Sequence, residues 1–255
     1  MREEIKISSI VIARNEENNI LRCLESQINV VDDIVVIVDS RTNDLTYKNA
    51  TRYKNTNCEI IDWKGYAATK SYALSKTKYD WVLWIDADEE ITPELIIELQ
   101  RFKSTNPLFN VYDLARRAFF LDKWIKHSGW YPARVARFFN KNYVSFNNNN
   151  VHEGLEYVGD LGHFKYDLNH YTDPSLEHYF IKFNDYTSLS AKELYMNGRK
   201  IKIKDILLRP IIIFIKMYIF KLGFLDGFQG FILSVLSSGY VFTKYCKLWE
   251  LNRSK

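Results

Sequence analysis

Several residue types and patterns that mark common protein classes are scarce in this sequence. It has 3 cysteines, which are widely separated and form no Cys-x-x-Cys pair, so we predict no disulfide framework. With 10 glycines and 5 prolines in 255 residues, collagen-like and low-complexity chains are excluded. No glycine precedes Gly65, so the first predicted strand lacks the glycine-rich turn of dinucleotide-binding proteins, and no Walker A motif occurs. These absences argue against hydride transfer and P-loop chemistry.

Charge and hydropathy are those of an ordinary globular protein. Lys and Arg number 35 against 31 Asp and Glu, a net charge of +4, and 47% of the residues are hydrophobic, which excludes a disordered chain. No motif for binding DNA or RNA occurs, and we predict no nucleic-acid partner. The opening segment MREEIKISSIVIARNEE is charged and its apolar run is too short for a secretion signal, so we expect residues 1–110 to fold in the cytoplasm.

Residues 1–110 alternate apolar runs with segments of helical spacing. The predicted strands are Ile7–Ala13, Asp33–Asp39, Cys58–Asp62 and Trp81–Ile85. Helices are predicted over Glu17–Gln27, about 45–54 and Lys64–Ser75, and from the start signal Thr92-Pro93-Glu94 onward. This β-α order predicts an α/β fold with a doubly wound, mainly parallel sheet.

The rest of the chain has a different composition. Residues 110–175, rich in Trp, Tyr, Phe and Asn, are predicted to form short strands and loops in a lobe continuous with the sheet, and Leu176–Tyr195 a helix. From Arg199 a basic cluster precedes the apolar stretch ILLRPIIIFIKMYIFKLGFL, which Arg209 and Lys216 interrupt. Because a charge inside a membrane costs about 2.5–3.5 kcal/mol, we favour a helix in the plane of an anionic membrane. A helix packed on the body of the protein is the alternative.

Acidic residues follow three of the predicted strands. Glu16 follows the first, Asp39 ends the second, and Asp86 and Asp88 follow the fourth. In an open parallel sheet, ligands bind beyond the carboxyl ends of the strands, so these acids are candidates for one site. Crowded carboxylates repel unless a cation lies among them, and a divalent metal with a nucleotide would satisfy them. A solvated turn or a helix N-cap is the alternative interpretation of the Asp-x-Asp pair.

At these strand ends the sequence resembles a known enzyme family. The segments SIVIARNEENNILRCLES, DDIVVIVDSRTNDLT and WVLWIDADEEITPEL are similar to the nucleotide-sugar half of family 2 glycosyltransferases, which have the GT-A fold. Further segments, among them WIKHSGWYPARVARFF and VHEGLE, resemble bacterial lipopolysaccharide core β-glucosyltransferases. The resemblance implies a glycosyltransferase domain over 1–198, with a nucleotide-sugar half (1–110) and an acceptor half (111–198). Residues 199–255 would then form a basic and apolar helical tail that associates with membranes.

The resemblance also implies roles for residues on the side of the sugar donor. Asp39 would contact the uracil or ribose of a UDP-sugar, and Glu16 would lie near its base. Asp86 and Asp88 match the family's Asp-x-Asp motif, with Asp88 the more direct ligand of Mg²⁺ or Mn²⁺ on the diphosphate. Lys70 would reach a diphosphate oxygen, with a solvated helix lysine as the alternative.

Inversion at the sugar requires a base that deprotonates the acceptor hydroxyl. The resemblance implies Glu153, in VHEGLE, as this base, with a surface carboxylate as the alternative. His152 is the alternative base or the partner that orients Glu153. Glu89 and Glu90, beside the Asp-x-Asp motif, are rival carboxylates. His170 is a candidate third metal ligand, with a structural histidine as the alternative.

The acceptor side is predicted from an aromatic segment. Trp130 and Tyr131 are candidates for stacking on a sugar, with core packing as the alternative, and Arg137 is a candidate partner for an anionic acceptor group. At Arg41 the sequence departs from the family, which often has glycine there, so the geometry of that loop is in question. The processive-synthase signature Gln-x-x-Arg-Trp is absent, so we predict addition of a single sugar.

The leading hypothesis is a metal-dependent, inverting glycosyltransferase. It would move a hexose, with glucose as the first candidate, from a UDP-sugar to a lipid-linked saccharide such as the lipopolysaccharide inner core. It would work at the inner face of the cytoplasmic membrane, against an anionic surface. Polyprenyl-phosphate, capsular or glycoprotein acceptors are alternatives with the same chemistry. A nucleotidyltransferase and a non-enzymatic binding module are alternatives of another class. The sequence does not indicate an oligomeric state.

Overall fold

The structure, a computed structural model, describes residues 4–53, 55–146 and 154–253. The chain divides into two compact units. The first contains the chain up to Arg116 together with Ala133–His170, and the second contains Arg117–Pro132 and the chain from Tyr171 onward. The segment 171–198, predicted as part of the glycosyltransferase domain, therefore falls in the same compact unit as the predicted tail.

The strands and helices follow one another with short connections. The strands are β1 (Ile7–Ala13), β2 (Asp33–Asp39), β3 (Thr56–Ile61), β4 (Trp81–Trp84), β5 (Glu89–Ile91), β6 (Val111–Phe120), β7 (Lys123–Trp124), β8 (Ala133–Asn140), β9 (Val144–Phe146), β10 (Leu155–Tyr157) and β11 (Leu161–Asp173). The α-helices are α1 (Ile20–Glu25), α2 (Thr46–Ala50), α3 (Tyr66–Ser75), α4 (Pro93–Phe102), α5 (Leu176–Met196), α6 (Ile203–Ile215) and α7 (Gly227–Arg253).

The main sheet has the strand order β3-β2-β1-β4-β8-β6-β11-β5. The first four strands in this order are mutually parallel, which confirms the predicted doubly wound α/β arrangement of the N-terminal part. From β8 onward the neighbouring strands whose register is defined run antiparallel. The aromatic region therefore continues the same sheet, as the sequence predicted, because β8 pairs directly with β4.

Burial explains why the first strands form the centre of the sheet. Every residue of β2 is buried, as expected for a parallel strand covered by helices on both faces. Alternate residues of the central strands pack into two different hydrophobic clusters. Ile7, Val36 and Leu83 belong to one cluster, whereas Ile10 and Val35 belong to the other. This alternation follows from the period of two residues in a β-strand.

The start of α4 shows how local sequence positions one edge of the sheet. Thr92 is the N-cap residue, and its side chain accepts a hydrogen bond from the backbone N–H of Leu95, with Pro93 at the first helical position. This confirms the predicted helix start. The hydroxyl of Thr92 also donates to the backbone carbonyl of Asp167 in β11, at 2.8 Å.

The second unit is mostly helical. α7 packs against α5 and α6, with Ala191, Tyr245 and Leu248 buried between them. α6 is followed by a π-helical turn (Lys216–Phe220) and a 3₁₀ turn (Gly223–Asp226) that leads into α7. The predicted helical tail is thus confirmed. Among the helices of the described chain, none has the length and apolar content needed to cross a membrane.

Candidate active site

The strand-end acids lie at one edge of the sheet. β1 runs between β2 and β4, and all three strands are parallel. Asp39 is the last residue of β2, and Asp86 follows the last residue of β4 by two positions. Because neighbouring strands are about 4.8 Å apart, the two acids lie roughly 10 Å apart across the sheet, and the register places Asp39 about two residues further along the strand direction. A diphosphate nucleotide is long enough to extend between them.

Asp39 is covered by an arginine that follows it. Its carboxylate accepts hydrogen bonds from Nε and Nη2 of Arg41, at 3.0 and 2.6 Å, and from the Arg41 backbone N–H. Arg14 Nε lies 3.9 Å from the same carboxylate. The hydrogen bonds from Arg41 hold the pKa of Asp39 below its usual value, although burial acts in the opposite direction. Arg41, which stands where the family often has glycine, is thus bound to Asp39, the residue predicted to contact the nucleoside.

Asp86 is bound by a second, more deeply buried arginine. Arg137, on β8, donates to Asp86 Oδ1 at 3.2 Å and also to Oδ2. Trp84 Nε1 donates to Oδ1 at 3.1 Å. Burial acts to raise the pKa of Asp86, but the charge and hydrogen bonds of Arg137 outweigh it and hold the pKa well below its usual range. Asp86 is therefore an anion whose charge is compensated by this chain.

A buried glutamate completes this cluster. Glu89, the first residue of β5, has no exposed surface, and its Oε2 accepts the backbone N–H of Asp86 at 2.9 Å. Its Oε1 lies 3.6 Å from both Arg116 and Arg137, and within the described residues it has no hydrogen-bond partner. Burial raises the pKa of Glu89. The negative charge of Asp86 raises it as well, whereas the positive charges of Arg137 and Arg116 act to lower it. The sequence signalled Glu89 only as a rival base.

Two cations share one aromatic ring beside Asp86. Lys70 Nζ lies 3.7 Å from the centroid of a Trp84 ring, and Arg137 Cζ lies 3.9 Å from a ring centroid of the same side chain. Lys70 is buried, not solvated as in the alternative interpretation. Desolvated cation–π contacts of this kind hold a cationic side chain in place. Three positive charges thus lie near Asp86 and Glu89. They are those of Lys70, Arg116 and Arg137.

Asp88 has a histidine partner instead of an arginine. His170 Nε2 lies 3.4 Å from Asp88 Oδ2, because β5 and β11 pair with His170 opposite Glu89. The neighbouring pair in this register is Glu90 and Asn169, whose side chains form a hydrogen bond of 2.9 Å. Burial acts to lower the pKa of His170, but the hydrogen bond and charge of Asp88 outweigh it and raise the pKa.

Asp88 and His170 are suitable ligands for a metal ion that also binds the sugar donor. Within the described ranges no group of three or more His, Cys, Asp or Glu side chains could hold a metal. A carboxylate and an imidazole are nevertheless suitable ligands for Mn²⁺, and Mg²⁺ in nucleotide sites usually has one or two carboxylates with phosphates and waters. Asp88 and His170 would therefore hold the ion, whereas Asp86 is bound to Arg137.

The other predicted site residues within the described ranges have different contacts. Glu16 accepts a hydrogen bond from Asn19 at 2.8 Å, in the turn before α1. Trp130 and Tyr131 belong to the second unit, where their rings contact Phe120 and Trp124 respectively. Glu153 and His152 lie outside the described residues. The roles of these residues, and that of Arg137 towards the acceptor, stay predictions.

A parallel sheet that ends in paired acids and is extended by antiparallel strands defines the class of this protein. The fold is similar to that of a mannosyltransferase of Pyrobaculum calidifontis, solved in complex with GDP-Man and Mn²⁺. The TM-score is 0.56 at 11% identity, over 96% of this chain and 87% of that chain. The protein has the GT-A fold of glycosyltransferases. More particularly, the sequence model of glycosyl transferase family 2 matches residues 8–155, and the chain belongs to that family.

Relatives extend the likeness beyond the family domain. An uncharacterized glycosyltransferase of Rickettsia typhi is 30% identical over 97% of this chain and 88% of its own length. The lipopolysaccharide core biosynthesis glycosyltransferase LpsC of Rhizobium meliloti is 24% identical over 99% of this chain and 95% of its own length. The protein is therefore a glycosyltransferase, as the sequence predicted.

Proposed function

We propose that the protein transfers a hexose, with glucose as the first candidate, from a UDP-sugar to a lipid-linked saccharide such as the lipopolysaccharide inner core. The reaction would depend on Mg²⁺ or Mn²⁺ and would invert the configuration at the sugar. The observation that carries the proposal is the contact of Asp88 with His170 beside the buried cations at the carboxyl edge of the sheet. The likeness to LpsC over nearly the whole chain supports the acceptor class.

The charges of the cluster suit a diphosphate. The three cations Lys70, Arg116 and Arg137 balance the three acids Asp86, Asp88 and Glu89, so a bound divalent ion would give the site a net positive charge. An ion held by Asp88 and His170 would add Lewis-acid stabilisation of the charge on the leaving nucleoside diphosphate. The fixed cations would supply the same kind of stabilisation without rearranging during the reaction.

Transfer itself requires one proton to move. The bond from the sugar C1 to the diphosphate oxygen breaks, and the acceptor oxygen forms a new bond to C1 from the opposite side. The acceptor hydroxyl loses its proton to a base, for which we propose Glu153, with His152 as its orienting partner or substitute. Asp39 would bind the uracil or ribose once Arg41 yields part of its contact, and Glu16 would lie near the base.

The donor can be identified by ligand-dependent stabilisation. We expect UDP-glucose with Mn²⁺ to stabilise the protein by about 2.7 kcal/mol at a hundredfold excess over Kd, because a ligand that binds only the folded state stabilises it by RT ln(1 + [L]/Kd). UDP-galactose, UDP-GlcNAc and GDP-mannose are the comparison donors, each measured in a thermal unfolding assay with and without Mn²⁺. Equal stabilisation by all donors without metal would contradict the proposal. Pyrophosphate release from a nucleoside triphosphate would instead indicate a nucleotidyltransferase.

The proposed base has a matched control in the same segment. Glu153→Gln should keep the UDP-sugar affinity and lower transfer to a core saccharide acceptor by about a hundredfold or more, within the usual range of a general base. Glu156→Gln, at an exposed position of β10, should leave both unchanged. If Glu153→Gln loses donor affinity and transfer equally, its role is structural. Transfer to polyprenyl phosphate but not to the core saccharide would overturn the acceptor assignment.

A further inference from the structure

The exposed charges of residues 199–235 all have one sign. This segment has seven Lys and Arg residues and two Asp residues. Both acids are buried: Asp205 accepts hydrogen bonds from Arg209 Nε at 2.6 Å and from the Lys202 backbone N–H at 3.0 Å. Asp226 accepts the backbone N–H groups of Lys126 and His127, at 3.1 and 2.9 Å. The charged groups left in contact with water are Arg199, Lys200, Lys202, Lys204, Arg209, Lys216 and Lys221.

The same segment exposes an unusual number of large apolar side chains. The most exposed are Ile203 at 80%, Phe220 at 76% and Phe228 at 72%. Others at least two-fifths exposed are Leu207, Leu208, Ile211, Ile212, Ile215, Ile219, Leu222, Phe224, Leu225, Phe231 and Val235. We call these side chains together the apolar surface. Monomeric soluble proteins rarely expose contiguous apolar patches beyond a few hundred Å², and larger ones mark interaction sites.

On α6 the apolar surface forms a single face. Leu207, Leu208, Ile211, Ile212 and Ile215 follow the i, i+1, i+4, i+5, i+8 spacing of one side of a helix. Arg209 and Lys216 are seven residues apart, which is two helical turns, and thus lie along one border of this face. Asp205 is buried at the same border, bonded to Arg209, and Pro210 is buried away from the face. An apolar face with a basic border is typical of helices that lie in a membrane interface.

The turns after α6 hold further apolar residues in the same exposed state. The backbone N–H of Ser128 donates to the carbonyl of Lys221 at 2.8 Å, and Lys123 Nζ donates to the carbonyl of Asp226 at 2.7 Å. These bonds fix the segment on both sides of Phe224. The exposed aromatic surface of this segment is therefore kept in contact with water, and its burial against an apolar partner would be favourable in free energy.

A cavity of about 420 Å³ adjoins the apolar surface. Leu208 and Ile212 of the apolar surface line it, together with the cations Lys204, Arg209 and Lys244. Asp205 is the acidic side chain that lines it. The excess of positive charge next to apolar walls matches the phosphate and first methylene groups of a lipid.

We propose that the apolar surface and its basic border dock in the plane of an anionic phospholipid monolayer. Phe220 and Phe228 would enter the boundary between headgroups and acyl chains, and Lys216 and Lys221 would contact headgroup phosphates. A second copy of the chain fits less well, because a twofold interface would bring two surfaces of the same positive charge together. This inference extends the proposed function, since it states how the chain meets a lipid-borne acceptor, and vesicle binding tests it without any sugar donor.

The test measures binding of the full chain to vesicles of phosphatidylcholine with 30% phosphatidylglycerol. We expect co-sedimentation with these vesicles, at least tenfold weaker binding to pure phosphatidylcholine, and further weakening in 0.5 M salt. Phe220→Ser with Phe228→Ser should weaken binding at least tenfold. Lys216→Ser with Lys221→Ser should weaken it by roughly fivefold per cation, from about 1 kcal/mol for each basic residue near an anionic surface. The control pair is Leu108→Ser with Val158→Ser, whose side chains are 86% and 94% exposed in the first unit.

The outcomes separate this inference from the proposed function. Unchanged binding of the control pair, with lost binding of the phenylalanine pair at an unchanged melting temperature, would support the docking surface. An equal loss in both pairs, or a wild-type chain that stays in the supernatant, would overturn it. A wild-type dimer that the phenylalanine pair dissociates, without vesicle binding, would also overturn it in favour of a self-interface. Metal-dependent hydrolysis of UDP-sugar in vesicle-free solution reports on the proposed function alone and should be equal in all these variants.

Discussion

The candidate active site and the border of the apolar surface each have an aspartate bound to an arginine, but the two pairs differ in which partner is exposed. In the first unit, the side chain of Arg137 is 5% exposed against Asp86, whereas in the second unit that of Arg209 is 47% exposed against Asp205. The aspartates show the reverse order, since the side chain of Asp86 is 38% exposed and that of Asp205 has no exposed surface. A buried charge depends on its partner, because water cannot replace it, and the buried charge is the arginine in the first pair and the aspartate in the second. The exposed arginine of the second pair stays in contact with water and able to meet an anion outside the protein. Similar contacts thus suit a fixed catalytic site in one region and a docking surface in the other.

The pKa values of the acids also differ between the two regions. In the cluster, Asp86 has a lowered pKa and Glu89 a raised one, although the two are three residues apart. Environments that push neighbouring pKa values apart are typical of active sites. On the docking side, burial acts to raise the pKa of Asp205, but its hydrogen bonds from Arg209 and the Lys202 backbone lower it.

Removing each arginine should give the largest contrast between the regions. Arg137→Ala leaves the buried Glu89 and the partly exposed Asp86 without this arginine, and we expect a loss of about 3 kcal/mol in the free energy of unfolding. Arg209→Ala should cost less, about 1 kcal/mol, because the buried carboxylate of Asp205 keeps the hydrogen bond from the Lys202 backbone N–H and the contact with Arg199 at 3.5 Å. Urea unfolding at pH 7 measures both. Equal losses would show that these remaining partners of Asp205 do not compensate for the arginine, and Asp86→Asn should recover part of the Arg137→Ala loss.

The metal role of Asp88 is the next most sensitive test of the cluster. Asp88→Asn removes the carboxylate that His170 contacts, and we expect transfer with Mn²⁺ to fall by about a hundredfold or more, since the ion would lose one of its two protein ligands. The melting temperature should change little. Asp160→Asn, at an exposed position between β10 and β11, is the control and should keep full activity. Normal turnover of Asp88→Asn would refute the metal role.

A smaller effect is expected at the start of α6. Asp205→Asn removes a charge that accepts the Lys202 N–H in the first helical turn, at an expected cost of about 1 kcal/mol at pH 7. Because the pKa of Asp205 is lower in the folded state than its unfolded value of about 3.9, this stabilisation is complete above about pH 4. It is lost as the pH falls through the folded pKa.

The difference in stability between the wild type and Asp205→Asn should therefore shrink below about pH 4. Urea midpoints at pH 7 and pH 3 measure it, with Asp160→Asn as the control. A difference that grows on acidification would contradict the assigned ion pair.

Local sequence signals predicted the first strands well. The bounds of β1 and β2 were predicted to the residue, and the start of α4 followed from Thr92 and Pro93. β5 was missed because Glu89–Ile91 is three residues long and has no periodic pattern. Its strand character comes from pairing with β11, which lies far away in the sequence. α1 is shorter than predicted, at Ile20–Glu25, since apolar spacing does not define helix ends.

The sequence by itself determined which residues follow the parallel strands, because alternation of apolar runs and helices forces their carboxyl ends to one edge. It thereby indicated that Asp39, Asp86 and Asp88 belong to one region. Only the tertiary structure decided the partners of Asp86 and Asp88. Arg137 reaches Asp86 from 51 residues away, and His170 reaches Asp88 through the pairing of β11 with β5. Such contacts depend on strand register between distant segments, and register is set by packing of the whole sheet.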